Sequence, residues 1–145
     1  MNHMNPPAID DPQQRKDKDQ IKLLAVFHFV VSGFAVLGIG FLFLHYMFLS
    51  KFLTNPAMWK GQNNAPPQEF FKFFVWFYIL AGVWFVISSI LNVISGFFLL
   101  KKQHRMFSLV VAGLNCLHIP LGTLLGIFTL IILMRDSVRA LYSGK

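Results

Sequence analysis

Apolar residues dominate three long stretches of the chain, and polar connections separate them. Residues 23–49 and 106–134 contain no Asp, Glu, Lys or Arg, and residues 70–100 contain only Lys72. About 20 apolar residues are enough for a helix to cross the hydrocarbon core of a bilayer. Lipid offers the backbone no hydrogen-bond partners, so each stretch should be helical. The pattern predicts an all-α polytopic membrane protein.

The third apolar stretch decides the number of spans. It holds His118-Ile119-Pro120 in its middle. Proline disfavours helix at the residue before it, but it suits the first turn of a new helix. We therefore predict two helices here, forming a tight hairpin. The predicted four transmembrane helices are residues 21–49, 70–100, 103–118 and 120–138, within a transmembrane domain of residues 21–142.

The basic residues favour an even number of spans. With four spans, ten of the 13 Lys and Arg residues lie on one side of the membrane, whereas with three spans the division is seven to six. Basic residues in short loops concentrate on the cytoplasmic side. We therefore predict a multi-pass protein of the cell inner membrane with both termini cytoplasmic. No basic stripe with interleaved aromatics lies outside the spans, so the expected partner is the lipid bilayer and not nucleic acid.

The residues before the first span are polar. Residues 1–20 contain three prolines and a run of mixed charge, which predicts a disordered cytoplasmic tail. They do not lead into a short apolar segment with a small-residue cleavage site. We expect the first apolar stretch to serve as both signal and anchor.

Small residues recur at helical spacing within the spans. Small residues let helix backbones approach each other closely in lipid, where packing replaces the hydrophobic effect. Gly122 and Gly126 are four apart, and Ser108, Ala112 and Cys116 of the preceding helix share that spacing. An internal contact between these two helices is the favoured interpretation, and self-association between copies is the alternative. The predicted helix-packing residues are Gly82, Ser89, Gly96, Gly122 and Gly126.

Few side chains in the spans could carry chemistry. The intramembrane polar candidates are His28, Ser32, Asn92, Asn115 and His118. His28 and Asn92 fall at the same predicted depth and could hydrogen-bond between helices. No acid or base lies deep in a span, which argues against a pump or a classical transporter. The lone cysteine and the absence of catalytic sequence motifs predict no enzyme activity, no metal and no cofactor.

Two other functions stay open from the sequence. An oligomer could enclose a small channel around Ser88, Asn92 and Ser95, because pores can be lined by small polar groups. Alternatively, His45 and His118 could ligate the iron of a b-type haem electron carrier. The spans contain more small residues at helix-packing spacing than side chains able to carry chemistry, which favours a third function. That function is a non-enzymatic accessory or assembly subunit, or a homo-oligomer, packed against other membrane subunits or itself.

Two segments resemble a known group of proteins. HIPLGTLLGIFTLIIL followed by MRDSVRALY, together with the upstream IKLLAVFHFVVSG, is similar to small, uncharacterised bacterial membrane proteins with four helices. The resemblance implies a four-helix layout in a bacterial inner membrane. It implies no activity, cofactor or catalytic residue.

Overall fold

The computed structural model describes residues 11–55, 57 and 68–143, and these form five helices without a strand. The helices are α1 (Pro12–Thr54), α2 (Gln68–Lys101), α3 (Arg105–Asn115), α4 (Leu121–Met134) and α5 (Asp136–Ser143). Within these ranges, α1 and α2 are long and apolar enough to cross a membrane. A third crossing exists only if α4 and α5 form one span broken by their 71° bend. The all-α prediction is confirmed for the described residues.

Helix α1 begins well before its apolar stretch. Residues 12–20 are helical, so the prediction of disorder is wrong for them, and residues 1–10 lie outside the described part of the chain. Asp11 caps the helix by accepting a hydrogen bond from the Gln13 backbone at 3.1 Å. Pro12 takes the first helical position, where its missing N–H costs nothing. Asp17 is fully buried, which ties this extension to the rest of the chain.

The turn from α2 to α3 is tight and basic. Gln103 N donates to Phe98 O at 2.9 Å, and Lys102 N donates to Leu99 O at 3.1 Å. Together with the left-handed φ of 51° at Lys102, these two bonds form a Schellman motif that closes α2. His104 is also left-handed, with a φ of 47°, and immediately precedes α3. The turn thus reverses the chain within three residues.

Helices α3 and α4 pack against each other as a hairpin, but both are shorter than predicted. Helix α3 has 11 residues where 103–118 was expected. Helix α4 has 14 residues and ends at Met134 instead of residue 138. The helix stops because Arg135 has an extended backbone, with φ −66° and ψ 136°. Helix α5 then continues in a direction 71° away.

The chain divides into two compact units. Among the described residues, the network unit comprises 11–31 and 91–143, and the two-helix unit comprises those of 32–90. The network unit contains the main apolar core, whose buried members are Ile21, Leu24, Ala25, Leu99, Leu125, Leu133 and Val138. In the two-helix unit, Ala35 is the buried apolar residue among those described.

Candidate functional site

Four polar side chains, one from each of the first four helices, meet in the interior of the network unit. His28 of α1, Asn92 of α2, Asn115 of α3 and Thr129 of α4 are each no more than 1% exposed. Uncompensated burial of such groups costs free energy, so each needs a hydrogen-bond partner. Their meeting point is the candidate site.

The two asparagines pair through both of their amide groups. Asn92 Nδ2 donates to Asn115 Oδ1 at 3.0 Å, and Asn115 Nδ2 donates to Asn92 Oδ1 at 2.7 Å. Asn92 Oδ1 also accepts from His28 Nδ1 at 2.8 Å, which uses its second lone pair. Asn92 is therefore the hub of the network.

His28 completes the network. Its Nδ1 donates to Asn92, and Thr129 Oγ1 lies 3.4 Å from His28 Nε2 with a hydroxyl proton to donate. This pattern fits a neutral imidazole with its proton on Nδ1. Every side-chain nitrogen and oxygen of the four residues is thus hydrogen-bonded inside the network. Satisfied buried networks of this kind hold helices in one register.

The network is made of imidazole, amide and hydroxyl groups. It contains no thiol and no carboxylate, and Asn115 and Thr129 present groups already engaged by their neighbours. In the part of the chain that the structure describes, no group of three or more His, Cys, Asp or Glu side chains could hold a metal ion. What the arrangement can do is fix four helices to one another.

A second polar cluster lies where the hairpin opens. Arg135 donates to Asp17 Oδ1 and to Gln20 Oε1, each at 3.1 Å. Arg105 Nε donates to the Leu133 carbonyl at 2.8 Å, which clamps the start of α3 to the end of α4. Burial raises the pKa of the nearby Tyr142 hydroxyl to about 12, while the charge of Arg105 acts to lower it.

The pairing of Asp17 with Arg135 was not predicted from the sequence, although the spacing of buried residues along α1 indicates that Asp17 faces the interior. Asp17, Ile21, Leu24 and His28 follow the three- and four-residue spacing of one helix face. All four are buried. This helix face extends through Asp17 into the segment predicted to be disordered. The spacing therefore indicates that α1 begins before residue 21 and that the Asp17 side chain faces the interior.

The predicted polar residues fall in different places. His28, Asn92 and Asn115 join the network, including the expected bond between His28 and Asn92. Ser32 belongs to the two-helix unit, where its Oγ lies 2.8 Å from Ser89 Oγ. His118 is half-buried in the turn between α3 and α4. The proposed pore residues Ser88 and Ser95 are both buried.

The predicted packing glycines also differ in their surroundings. A Cβ placed at Gly122 would lie 2.6 Å from Asn115 O, and one at Gly126 would lie 2.6 Å from Cys116 Sγ. A Cβ at Gly96 would meet the Phe29 ring at 2.9 Å. Gly122 and Gly126 therefore require glycine, since backbone atoms face them, whereas the tip of the Phe29 ring could shift to make room at Gly96. Gly82 has nothing within 4 Å of an added Cβ among the described residues.

The two-helix unit has simpler internal contacts. Ser32 and Ser89 pair through their hydroxyls, and Gly38 lies against the Phe85 ring, 3.0 Å from an added Cβ. His45 Nδ1 hydrogen-bonds the Tyr78 hydroxyl. His45, the proposed haem ligand, thus already has a protein partner at one ring nitrogen.

Comparison with known proteins found no matching family model, no matching curated protein and no matching solved structure. The resemblance to small bacterial membrane proteins therefore stays a prediction.

Proposed function

We propose that this chain is a non-enzymatic integral membrane protein that acts as an accessory or assembly subunit, or as a homo-oligomer. We place it in a bacterial inner membrane, with four membrane-embedded helices and both termini cytoplasmic. The observation that carries the proposal is the closed network of His28, Asn92, Asn115 and Thr129. These four side chains are buried, and their polar groups bond to one another.

The small residues support a packing role. Gly122 and Gly126 are occupied by contacts with the end of α3. Gly33, Gly40 and Gly82 have nothing within 4 Å of an added Cβ in the described chain, so they are the positions where another helix could approach. In this proposal the network and the hairpin make a rigid body, and the open small-residue positions receive a neighbouring helix.

The distribution of charge supports the orientation. Ten basic residues flank the ends of the chain and the turn after α2, against three near the connection between α1 and α2. This count favours a chain that returns, after α4, to the side of the turn after α2. It does not depend on whether α3 and α4 cross the bilayer completely.

The test is the mass of the assembly. The full chain, purified in mild detergent and reconstituted into nanodiscs, should give a multiple of its 16.6 kDa mass or a defined complex with another membrane subunit. Gly82→Leu should reduce that assembly while leaving the helix content unchanged, because an added Cβ at this position meets nothing within 4 Å in the described chain. Val83→Leu, a swap on the same helix at a position that is already apolar, is the matched control. A strictly monomeric, partnerless protein in both media would refute the proposal.

The channel alternative makes a different prediction for the same protein. If Ser88, Asn92 and Ser95 lined a pore, reconstituted liposomes should show ion or solute flux, and Asn92→Leu should alter it. The engagement of Asn92 by His28 and Asn115 supports packing over pore lining. We expect no flux with either form of the protein.

A further inference from the structure

The α3–α4 hairpin is too short to cross a bilayer twice. With a rise of 1.5 Å per residue, the 11 residues of α3 extend about 16 Å. The 14 residues of α4 extend about 21 Å. The hydrocarbon core is about 30 Å thick. A hairpin that starts at one surface therefore ends several ångströms short of the other.

The open end of the hairpin lies on the side of the membrane that holds the basic turn after α2. Arg105 Nε donates to Leu133 O, so the chain leaves α4 at the level where it entered α3. Arg135 then pairs with Asp17 near the start of α1. Arg135 precedes α5, and Asp136 and Arg139 lie within it, so α5 carries charge; its direction differs from that of α4 by 71°. Helices α4 and α5 are thus not two halves of one crossing.

The closed end of the hairpin has the surface of a lipid-facing segment. Leu117, Ile119 and Leu121 are 69%, 86% and 55% exposed. Turns that face water are rich in Gly, Asn, Asp and Ser, because those side chains and their backbone are solvated there. The connection between α1 and α2, with the sequence QNNAPPQE, fits that rule. The α3–α4 turn instead presents large apolar side chains.

Several polar groups of this turn have hydrogen-bond partners within the hairpin. Thr123 Oγ1 donates to Cys116 O at 2.9 Å, and Thr123 N donates to His118 O at 3.0 Å. His118 N donates to Asn115 O at 2.9 Å. Irregular backbone inside a bilayer needs such partners because lipid offers none. A turn in water has no comparable need.

We propose that α3 and α4 form a re-entrant hairpin, which enters the membrane beside the turn after α2, ends within the hydrocarbon and leaves by the same face. It brings Asn115 to the buried network, where α1 and α2 supply His28 and Asn92. The bias of ten basic residues against three is unchanged, since both termini stay on one side. This inference is independent of the subunit role, which concerns partners and not depth.

The test places a single cysteine at the tip. Ile119→Cys in a Cys116→Ala background puts a thiol at the most exposed apolar position named above, and Asn55→Cys and Lys101→Cys in the same background mark the two surfaces. In sealed vesicles of known orientation, a membrane-impermeant maleimide should label each surface control from one side only. We expect no labelling of Ile119→Cys from either side, and full labelling after detergent is added.

Fluorescence quenching gives a positive signal to accompany the expected absence of labelling. A fluorophore attached at Ile119→Cys should be quenched more strongly by spin labels deep on the acyl chains than by spin labels at the headgroups. Native Cys116 in the unmodified chain gives a second readout if the tip variant fails to fold. Labelling from the Asn55 side would show a complete crossing, and labelling from the Lys101 side would show a hairpin outside the membrane. Either result, or stronger quenching at the headgroups, overturns the proposal.

Discussion

The network unit and the two-helix unit draw on the same two long helices, yet they are held together differently. In the network unit, side chains from α1 to α4 close a hydrogen-bonded cluster, and the same unit contains a buried apolar core. In the two-helix unit, a serine pair and a histidine–tyrosine pair link the helices. Large apolar residues such as Leu37 and Phe48 remain about 70% exposed there. Lipid can cover apolar surface, so what distinguishes the units is the arrangement of polar and small residues.

The largest expected effect is a collision in the hairpin. Gly126→Ala places a Cβ 2.6 Å from Cys116 Sγ and 3.0 Å from Cys116 N, and closer still to the Ala112 carbonyl. Backbone atoms cannot swing aside, so we expect a loss of about 3 kcal/mol of unfolding free energy, at the upper end for overpacking. Unfolding in mixed micelles with increasing dodecyl sulfate, followed by circular dichroism, measures it.

Gly82→Ala is the matched control in the two-helix unit. With nothing within 4 Å of the added Cβ, the variant should be neutral or gain up to about 1 kcal/mol from the higher helix propensity of alanine. Equal losses for both glycines would contradict the distinction between the units.

The second effect removes the hub of the network. Asn92→Leu leaves His28 Nδ1 and the Asn115 amide buried without this partner. A buried polar group that loses its partner costs about 1–3 kcal/mol. The mean gain from one interhelical hydrogen bond in lipid is only about 0.6 kcal/mol. Two groups are affected here, so we expect a loss of about 2 kcal/mol in the same assay.

A double-mutant cycle separates the network from simple packing. Asn92→Leu combined with Asn115→Leu should cost less than the sum of the single variants by about 1 kcal/mol, because each single variant strands the other amide. Ile90→Leu, on an exposed face of α2, should change nothing. Strict additivity would mean that the two amides do not act together.

Much of the fold was predictable because the apolar stretches dictate it. The positions of α1 and α2, the turn near His118-Ile119-Pro120 and the candidates His28, Asn92 and Asn115 follow from local sequence. Asn115 and Thr129 could not be assigned to one cluster, since their orientation depends on where each short helix begins. A shift of one residue rotates a helical side chain by about 100°. The sequence count of charges also left the depth of the hairpin open.

The helical start of α1 shows the other limit. Residues 12–20 are polar enough to predict disorder, but Asp11 and Pro12 begin a helix, and Arg135 pairs with Asp17 from the far end of the chain. That ion pair connects residues 118 positions apart in the sequence. Local composition carries no information about such a partner.

A smaller effect concerns the open end of the hairpin. Burial raises the pKa of Tyr142 from its ordinary value of 10.0 to about 12 in the folded chain. Because the folded state holds this proton more tightly, the contribution to stability is complete below about pH 10 and is lost as the pH rises through about 12. The side chain is half-buried, so the loss should be modest. Tyr142→Phe should flatten the fall in unfolding free energy over this range, and an unchanged slope would exclude Tyr142 as its source.

The smallest effect is expected at the serine pair of the two-helix unit. Ser32 Oγ lies 2.8 Å from Ser89 Oγ and 3.2 Å from Ser89 O, so it has both a hydroxyl and a carbonyl partner. Ser89→Ala removes the hydroxyl pair and the long bond from Ser89 Oγ to Ser32 O at 3.5 Å, but Ser32 can still donate to Ser89 O at 3.2 Å. The expected loss is about 0.6 kcal/mol or less. Ser32→Ala removes both bonds from Ser32 and should cost more than Ser89→Ala in the same micelle assay. Removing one member of a network affects several partners, whereas removing one member of a pair affects only one. If Ser89→Ala lost as much unfolding free energy as Asn92→Leu, the polar contacts of the two units would be equally cooperative.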